Sequence, residues 1–302
     1  MESILLILFY AFLSIVTINS VYYLFFFRFA FSKSPKAKPS PKEIGVSILI
    51  CSKNEADNLK THIPKWLEQD YDTFELVLVN DASYDDTPSI IDAFAEKDIR
   101  ITPVHVENNE AFWGSKKYAL TLGIKKARYD TLLFTDADCY PKSKQWIRSM
   151  SSAFEENTDV VLGYGAYELK KRSWLNMLIR YETLLTAVQY FSYALAGNPY
   201  MGVGRNLGYT KSLFFEQRGF MSHMDVASGD DDLFVNEAAT KSNTTICYIQ
   251  DAHTVSEPKT SWKSWFIQKR RHISTATHYK KKDQFLLGLF YLSQLGLSLI
   301  HI

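Results

Sequence analysis

Two aspartates stand one residue apart in the stretch TDADC (135–139), directly after an apolar run of two leucines and a phenylalanine. Asp136 and Asp138 are therefore placed where a buried strand is expected to end. Because aspartate is common in turns, the pair alone is compatible with a solvated turn. Carboxylate oxygens are also the ligands that Mg²⁺ and Mn²⁺ prefer. The stretch thus has two interpretations, a turn or a site that holds a cation against a substrate.

Other carboxylates follow apolar runs or cluster in the chain. Asp81 ends the run FELVLVND (74–81), and three consecutive aspartates, 230–232, lie in SGDDDLF. Carboxylates gathered in one place repel one another, and their pKa values rise. A divalent metal bound with a substrate diphosphate is one physical solution, since the metal neutralises charge that develops on a departing nucleoside diphosphate. Lys116 and Lys117, near the start of a predicted helix, are either phosphate contacts or ordinary solvated lysines.

Strand-like and helix-like stretches alternate between residues 45 and 139. Short apolar runs predict buried parallel strands, and stretches with early acidic residues and helical apolar spacing predict helices. This order predicts an α/β fold, a doubly wound and mostly parallel sheet flanked by helices, whose ligands bind beyond the carboxyl ends of the strands. The predicted strands are 45–51, 74–83, 99–106 and 130–139, and the predicted helices are 54–69, 85–98 and 114–127.

Composition and missing motifs argue against several classes of protein. The chain has 302 residues, with 34 Lys plus Arg against 33 Asp plus Glu and a net charge of +1, which gives no support to nucleic-acid binding. Its three cysteines are far apart, so neither a structural zinc site nor a disulfide framework is indicated, and a reducing compartment fits best. The sequence has no GxxxxGKS/T loop, and GVGRNLG (202–208) lacks the third glycine of a dinucleotide-binding loop.

The first thirty residues differ from the rest. From Ser3 to Phe27 there are 25 consecutive residues without a charge, and about 20 such residues span a bilayer. We therefore predict a transmembrane anchor at 1–30. A cleaved signal peptide fits less well, because Glu2 makes the start acidic, the run is long and no Ala-x-Ala site follows. Basic residues and prolines then predict an extended linker at 31–44 and a cytoplasmic catalytic domain.

Two later stretches are also apolar. Residues 284–302 carry no formal charge and follow three lysines, so they predict a C-terminal membrane segment that starts in the cytoplasm. The alternative is an apolar helix that packs on the domain. The stretch 174–197 is rich in apolar and aromatic residues, and lies either at the bilayer surface near an acceptor site or in the core as a buried helix.

At this point the chain resembles family 2 glycosyltransferases of the GT-A fold, of the membrane-anchored bacterial type. Six motifs carry the resemblance in the family's order: VSILICSKNEADNL, LVLVNDASYDDT, GSKKYALTLGI, LLFTDADC, SGDDDLF and QKRRH. It implies a GT-A domain at 45–275, with a nucleotide-sugar half at 45–140 and an acceptor half at 141–275. It also implies inverting transfer of a hexosyl group from a nucleotide-diphosphate sugar, a UDP-sugar, to a lipid-linked or saccharide acceptor at the cytoplasmic membrane face.

The resemblance assigns residues to the donor nucleotide sugar. Asn54 and Glu55 match the Asn-Glu pair after the first strand, near the nucleoside. Asp81 matches an aspartate that contacts the nucleobase. The family commonly has a second acid before it, and because Asn80 stands there, the base is less firmly indicated. Lys116 lies in the third motif and is assigned to the donor phosphates.

The resemblance also assigns a metal and a diphosphate contact. Asp136 and Asp138 match the DxD motif that holds Mg²⁺ or Mn²⁺, with Asp138 as the more direct ligand. QKRRH resembles Gln-x-x-Arg-Trp, in which Gln268 and Arg271 match and the arginine approaches the diphosphate. His272 replaces a tryptophan on the acceptor side, which weakens the case for processive polymer synthesis. A juxtamembrane positive charge is the alternative role for the arginine.

On the acceptor side, SGDDDLF resembles the acidic motif that supplies the general base, the group that takes a proton from the attacking hydroxyl. Two registers are open. Counting back from the following leucine selects Asp230, and matching Gly-Asp-Asp selects Asp231, which we favour. Asp232 and Arg205 are assigned to the acceptor side. Acids at a helix start, stabilised by the helix dipole, are the alternative for part of the cluster.

Two other functions are alternatives. A catalytically inactive relative would serve as a partner in a polysaccharide synthesis or export complex, but such a partner has no need of the DxD, acidic and arginine motifs together. A nucleotidyltransferase of similar sheet architecture usually carries a Gly-rich, basic N-terminal signature, which ICSKNEADN lacks. The sequence therefore favours an enzyme that transfers sugar.

Overall fold

The structure is a computed structural model that describes residues 2–32, 43–107 and 116–300. The strands in this part of the chain are β1 (Val46–Ser52), β2 (Phe74–Asp81), β3 (Ile101–Val106), β4 (Thr131–Asp136), β5 (Cys139–Pro141), β6 (Val160–Gly163), β7 (Gly165–Tyr167), β8 (Leu207–Thr210), β9 (Thr244–Cys247) and β10 (Thr254–Ser256). The α-helices are α1 (Glu2–Phe27), α2 (Ala56–Leu67), α3 (Thr87–Ala95), α4 (Lys116–Lys126), α5 (Trp146–Ser151), α6 (Trp174–Leu195), α7 (Lys211–Glu216), α8 (Asp232–Ala238), α9 (Trp262–Thr275) and α10 (Lys281–Ile300).

A seven-stranded sheet in the order β3-β2-β1-β4-β8-β6-β9 forms the centre of the fold. β3, β2, β1 and β4 are parallel neighbours, and β8 runs antiparallel between β4 and β6. The predicted α/β fold with a mostly parallel sheet is confirmed, and all four predicted strands form. Strands from both predicted halves share this sheet, because β8, β6 and β9 come from residues after 141. A second, small sheet joins β5, β10 and β7.

Helices cover both faces of the central sheet. Successive side chains of a strand point to opposite faces, so Leu49 and Val77 join one apolar cluster while Ile48 and Leu76 join a second cluster across the sheet. All four side chains are fully buried, and each contributes roughly 1.5–3 kcal/mol by leaving water. Burial on both faces is the reason that the predicted strands are continuous apolar runs.

The apolar N-terminal helix packs on the last helix. Nδ2 of Asn19 in α1 donates to Oγ of Ser293 in α10 at 3.1 Å, and the Tyr22 hydroxyl donates to the carbonyl of Leu286 at 2.6 Å. Residue numbers rise along α1 as they fall along α10, so the two helices are antiparallel. Among the described residues, one helical stretch, Ser3–Phe31, is long and apolar enough to cross a membrane. The segment predicted at 284–302 is helical, and its insertion into a membrane stays a prediction.

The predicted linker at 31–44 falls largely on residues 33–42, which lie outside the described residues. Its first residues contact the segment that follows β9. The hydroxyls of Ser32 and Tyr248 lie 2.9 Å apart, and the Tyr248 hydroxyl donates to the carbonyl of Ser32 at 2.7 Å. The chain that follows α1 is thus held to Tyr248 at residue 32, within the first residues of the predicted linker.

α6 is buried in part, and the position of residues 174–197 at a bilayer surface stays a prediction. Its last turns are buried, and Tyr193 packs edge-on against Phe25 of α1 with ring centres 5.1 Å apart. Its earlier turns carry an exposed stripe of large apolar side chains, Trp174, Met177, Tyr181 and Leu184. The helix is therefore part core helix and part exposed apolar surface.

Candidate active site

A lysine joins two of the predicted acidic clusters at the carboxyl edge of the sheet. Nζ of Lys116 in α4 lies 3.0 Å from Oδ1 of Asp136 at the end of β4 and 2.9 Å from Oδ2 of Asp230 before α8. Burial opposes the charge of Lys116, but the two carboxylates outweigh it and raise the pKa of this lysine well above its usual value. Lys116 is therefore an ion-pair partner within the site and not a solvated lysine.

Asp136 and Asp138 occupy a tight turn between β4 and β5. Burial alone would raise the pKa of Asp136, but Lys116, aided by the charges of Arg205 and Arg271, lowers it. The pKa of Asp138 is raised, first by burial and then by the charge of Asp136. The first aspartate is thus neutralised by protein cations, and the second is held close to a carboxylate that repels it.

The turn has the donor set of a divalent metal site. Ligand atoms of Asp136, Asp138 and Cys139 lie within 4.8 Å of one another. Burial raises the pKa of the Cys139 thiol well above its usual value, so this sulfur favours its protonated form and the carboxylate oxygens are the available ligands. Mg²⁺ and Mn²⁺ prefer such oxygens, and Mg²⁺ sites usually combine one or two carboxylates with water and substrate phosphates. The residues therefore fit the predicted metal.

Asp81 lies at the same edge, two strands from β4. Its buried carboxylate is 3.6 Å from Nζ of Lys53. Burial raises the pKa of Asp81, and Lys53 offsets part of this rise. Asn54 has a left-handed backbone conformation with φ of 57°, which asparagine tolerates better than most residues. Its Oδ1 accepts the N–H of Tyr84 at 2.8 Å, which fastens the loop after β1 to the loop after β2.

A cleft of about 410 Å³ opens beside these loops, lined by residues on either side of Asp81 and by the end of β3. Glu55 lies between these loops and the turn that carries Asp136 and Asp138, which we call the metal turn. Its Oε2 accepts from Nδ2 of Asn58 at 2.6 Å. Burial raises the pKa of Glu55, with further increases from the charges of Asp138 and Asp136. The predicted donor residues are thus gathered along one edge of the sheet.

The two candidates for the general base have different surroundings. Oδ2 of Asp231 accepts the N–H of Gly204 at 2.6 Å, and Oδ1 accepts the N–H of Asp232 at 2.8 Å. Burial, followed by the charges of Asp230 and Asp232, raises the pKa of Asp231 to about 7. A carboxyl group with that pKa suits proton transfer at neutral pH. Because Asp230 pairs with Lys116, the geometry favours Asp231.

Asp232 does not face the acceptor side, which corrects the prediction made from the sequence. Its carboxylate is buried, and Oδ2 accepts hydrogen bonds from the hydroxyls of Thr275 and Tyr279, the latter at 2.8 Å. Its Oδ1 accepts the N–H of Leu233 at 2.8 Å. The carboxylate is thus used inside the fold, where it joins α8 to the end of α9 and to the segment before α10.

Arg205 lies beside the small sheet. Its guanidinium group lies over the ring of Tyr167, 4.2 Å from the ring centre. The hydroxyl of Tyr167 in turn accepts from Nε2 of Gln268 in α9 at 3.3 Å. Tyr167 therefore connects Arg205 with Gln268, the first residue of the QKRRH motif.

Arg271 and His272, the other assigned positions of QKRRH, lie on the same side of α9 as Gln268. Gln268, Arg271 and His272 share one helical face because they are three and four residues apart. Arg271 is close enough to the metal turn for its charge to help lower the pKa of Asp136, after the larger effect of Lys116. His272 is exposed. Arg271 and His272 are thus both exposed, and the charge of Arg271 acts on Asp136 without a direct contact between the two side chains in the described structure.

Comparison with known proteins identifies the family. Residues 47–215 match the family model described as glycosyl transferase family 2. The chain belongs to this family. The resemblance to family 2 glycosyltransferases and the enzyme class predicted from the sequence, a glycosyltransferase, are confirmed, and the membrane-anchored type stays a prediction. The matched region contains the metal turn and Arg205 and ends before the acidic triplet and the arginine motif.

Curated relatives match this glycosyltransferase over part of their length. A poly-beta-1,6-N-acetyl-D-glucosamine synthase of Staphylococcus epidermidis is 32% identical over 123 residues, which cover 40% of this chain and 28% of that protein. The uncharacterized glycosyltransferase EpsJ of Bacillus subtilis is 32% identical over 123 residues, which cover 41% of this chain and 34% of that protein.

Solved structures share the fold of this glycosyltransferase. A mannosyltransferase of Pyrobaculum calidifontis, in complex with GDP-Man and Mn²⁺, aligns with a TM-score of 0.69 at 20% identity, over 92% of this chain and 78% of that one. TarS of S. aureus, in complex with UDP-GlcNAc, aligns with a TM-score of 0.51 at 18% identity, over 72% of this chain and 60% of that one. These likenesses establish the GT-A type of fold.

The structure also brings to the site residues that the sequence did not reveal. Lys53 pairs with Asp81. Nδ1 of the buried His62 in α2 lies 3.0 Å from the carbonyl of Ala137, the middle residue of the DxD motif. Because a carbonyl only accepts, Nδ1 carries the proton in this bond. The contact joins residues 75 positions apart, and no local pattern in the sequence reveals it.

Lys117 is not a phosphate contact, which corrects one of the two roles considered for it. The side chain is 1% exposed, and Nζ donates to the carbonyls of His223 and Val226. Consecutive positions on a helix point in different directions, so the glycosyltransferase uses Lys116 in the site and Lys117 to hold the loop before the acidic triplet.

Proposed function

We propose that this chain is a membrane-bound inverting glycosyltransferase that moves a sugar from a nucleotide-diphosphate sugar, a UDP-sugar, to a lipid-linked or saccharide acceptor at the cytoplasmic membrane face. The observation that carries the proposal is the bridge made by Lys116, which holds Asp136 of the metal turn and Asp230 beside Asp231. Groups suited to a donor diphosphate and a group suited to an acceptor hydroxyl thus lie next to each other.

Asp231 is the proposed general base. With a pKa of about 7, a substantial fraction of its carboxylate is ionised at neutral pH and can take a proton. As the acceptor oxygen attacks the anomeric carbon, its proton moves to Asp231 and the bond from that carbon to the diphosphate oxygen breaks. The electron pair of that bond leaves with the nucleoside diphosphate. Attack from the face opposite the leaving group inverts the anomeric configuration.

The donor diphosphate would meet several protein cations. Lys116, Arg271 and Arg205 all act on the charge of Asp136, so a diphosphate beside the metal turn would share these charges. Asp138 and Asp136 would hold Mg²⁺ or Mn²⁺, which when bound neutralises charge on the leaving diphosphate as a Lewis acid. The mannosyltransferase neighbour in complex with GDP-Man and Mn²⁺ supports a divalent ion and a nucleotide sugar for this fold.

The nucleoside would occupy the edge formed by Asn54, Glu55 and Asp81, beside the cleft at the end of β3. Asp81 is buried and positioned by Lys53, so its oxygens offer acceptors to the N–H groups of a nucleobase. The TarS complex with UDP-GlcNAc favours uridine as the proposed base. Gln268 and His272 would complete the donor and acceptor sides from α9.

Membrane attachment is proposed through α1, with α10 packed antiparallel to it as a second membrane segment. The cytoplasmic orientation follows from the basic residues after the anchor. On α9, the exposed apolar side chains Trp262, Phe266 and Ile273 share a helical face opposite to Gln268 and Arg271. Together with the exposed stripe of α6, this face suits contact with a lipid surface.

The domain limits predicted from the sequence become part of this proposal: an anchor at 1–30, a linker at 31–44, a catalytic domain at 45–275 and a terminal membrane segment at 284–302. The division at 140 marks a change of substrate and not a physical boundary, because β4 of the donor half pairs with β8 of the acceptor half.

The decisive experiment is donor turnover by the purified full chain in detergent with Mn²⁺ or Mg²⁺. A panel of UDP-sugars and GDP-mannose is tested for release of the nucleoside diphosphate in the presence of lipid and saccharide acceptors. We expect release from a UDP-sugar that depends on the metal. Absence of turnover with every donor, despite metal-dependent donor binding, would instead favour an inactive partner in a polysaccharide complex.

Two variants separate the proposed roles. Asp138→Ala should abolish metal-dependent binding of the donor. Asp231→Asn should keep donor binding and lose turnover by a factor of about 10²–10⁴, the usual contribution of a general base. Unchanged donor affinity in Asp138→Ala would contradict the metal assignment, and full turnover in Asp231→Asn would contradict the base assignment.

A further inference from the structure

A buried carboxylate adjacent to the proposed base takes no direct part in the site. Asp232 follows Asp231 in the chain, yet its side chain points into the fold and accepts the hydroxyls of Thr275 and Tyr279 on one oxygen. Two donors on one oxygen tie Asp232 to Thr275 at the end of α9 and to Tyr279 in the segment before α10.

The same face of α8 makes a second set of contacts, with the segment between α9 and α10 and with the start of α10. Asn236 lies one turn after Asp232, so the two side chains point in similar directions. Its Nδ2 donates to Oδ2 of Asp283 at 3.0 Å, and its Oδ1 accepts the N–H of Lys280 at 2.9 Å. α8 therefore holds the segment from Thr275 to Asp283 at two levels, with Asp232 nearest to the base.

α9 buries little of its own surface. Thr275 is the only buried residue in this helix, the whole of which lies in the described part of the chain. Earlier in the helix, Nζ of Lys269 lies 3.0 Å from Oε2 of Glu182 in α6. Nε2 of Gln268 also donates to the hydroxyl of Tyr167 at 3.3 Å. A helix with so little buried surface gains little from packing, so these polar contacts in its middle and those of Thr275 at its end decide where it lies.

We propose that Asp232 is a positioning residue that fixes the arginine helix α9 against the general base. Its bonds to Thr275 and Tyr279 set the distance between Arg271, one turn before Thr275, and Asp231. Two consecutive residues at the start of α8 thus have separate roles, one in proton transfer and one in placing the group that contacts the donor diphosphate. The inference rests on the proposed function of Arg271 and Asp231.

The test compares variants that separate charge from hydrogen bonding. The double variant Thr275→Val/Tyr279→Phe keeps the carboxylate and removes both donors. We expect it to raise the KM for the nucleotide sugar by roughly tenfold, the effect of losing a hydrogen bond to a charged group, and to speed amide hydrogen exchange in residues 262–275. Asp232→Asn keeps an acceptor oxygen, so its increase in KM should be smaller than that of Asp232→Ala.

A matched control removes the same kind of hydroxyl elsewhere. Oγ1 of Thr210 donates to Oδ1 of Asp159 at 3.1 Å, and Thr210 pairs with Thr131 at the end of β4 that is remote from the site. Thr210→Val should lower the Tm without changing the donor KM or the exchange of α9. If the double variant behaves like this control, Asp232 has only a structural role and the proposal is wrong.

Two further measurements keep the outcome clear. Tyr279→Phe alone replaces the double variant if the latter does not fold, and it should show the same changes to a lesser degree. Amide exchange in α9 is measured without turnover, so it tests the position of the helix even if Asp231→Asn shows that another residue is the base. Unchanged exchange in Tyr279→Phe would overturn the inference.

Discussion

The backbone N–H of Gly204 donates a hydrogen bond of 2.6 Å to Oδ2 of Asp231. A Cβ atom on residue 204 would lie only 3.2 Å from that oxygen, closer than ordinary van der Waals contact. Glycine therefore allows the chain before β8 to approach the carboxylate at the start of α8. The bond orients the proposed base while burial and its neighbours keep its pKa near neutrality.

The first prediction concerns the pH dependence of the reaction. Asp231 takes a proton only when ionised, and its pKa is about 7, so kcat/KM should rise with pH through about 7 and then level off. The measurement is nucleoside diphosphate release from about pH 5 to about pH 9 at saturating metal. A rate that is constant across this range would show that another group limits proton transfer.

The same ionisation should reduce stability. The pKa of Asp231 is about 7 in the folded chain against an ordinary value of 3.8, so the folded state binds more protons between these two pH values. Its contribution to the free energy of unfolding is therefore lost as pH rises from about 4 to about 7. Asp231→Asn removes the ionisation but keeps only one of the two oxygens that accept the N–H groups of Gly204 and Asp232. The Tm of the variant minus that of the unsubstituted chain should therefore rise between about pH 4 and about pH 8, whereas the same difference for Glu156→Gln on the surface should stay constant. A difference for Asp231→Asn that does not change with pH would contradict the expectation.

The two adjacent lysines give a matched pair of variants. Lys116→Met removes the cation between Asp136 and Asp230, so those carboxylates repel each other and donor affinity should fall at least tenfold. Lys117→Met removes two bonds to backbone carbonyls and should cost about 1–3 kcal/mol of stability, with donor affinity retained in the folded protein. Calorimetry of donor binding and thermal unfolding check both. Equal loss of donor affinity in the two variants would refute the distinction.

We predict that His62 contributes to the affinity for Mn²⁺ although it is not a ligand of the metal. His62→Ala frees the carbonyl of Ala137 and loosens the turn that holds Asp136 and Asp138, so Mn²⁺ affinity should fall roughly tenfold. His62→Asn retains a donor near the position of Nδ1 and should restore part of the affinity. His105→Ala, which loses only a partner of Asp92 at 2.9 Å, is the control. Titration with Mn²⁺ by electron paramagnetic resonance measures all three, and identical affinities would exclude the role.

The outer face of α9 should lie in lipid. A fluorophore sensitive to polarity, attached to Phe266→Cys or Ile273→Cys of the full chain in nanodiscs, should emit at shorter wavelength and be quenched by nitroxide-labelled lipids. Ile99→Cys, at a position 92% exposed beyond the opposite end of the sheet, should show neither effect. A blue shift without quenching by lipid would indicate a protein partner on this face instead.

Much of the donor side could be predicted from the sequence because its signals are local. The strand that ends at Asp136 is a continuous apolar run, and burial on both faces of a parallel sheet requires such a run. The second aspartate of TDADC follows within two residues. The convergence of Asp81 and Asp136 follows from one rule, that parallel strands bring their carboxyl ends to one edge.

The acceptor side could be predicted less well because its assignments depend on side-chain direction. Three adjacent aspartates look equivalent in SGDDDLF, but the start of α8 turns Asp230 to Lys116, Asp231 to Gly204 and Asp232 into the core. The strands after residue 141 are only three or four residues long, too short for a periodic pattern. Partners such as His62 and Ala137 meet only after the chain has folded.

The position of β8 has a consequence for the order in which the protein is made. β1, β2, β3 and β4 are complete by residue 136, whereas β8, which covers the open edge of β4, begins at residue 207. During synthesis on the ribosome, the backbone groups on one edge of β4 therefore stay unpaired while some seventy further residues are added. The lateral edge of β4 is covered only after β8 has been synthesised. The nascent chain is therefore most exposed to aberrant strand pairing during that interval.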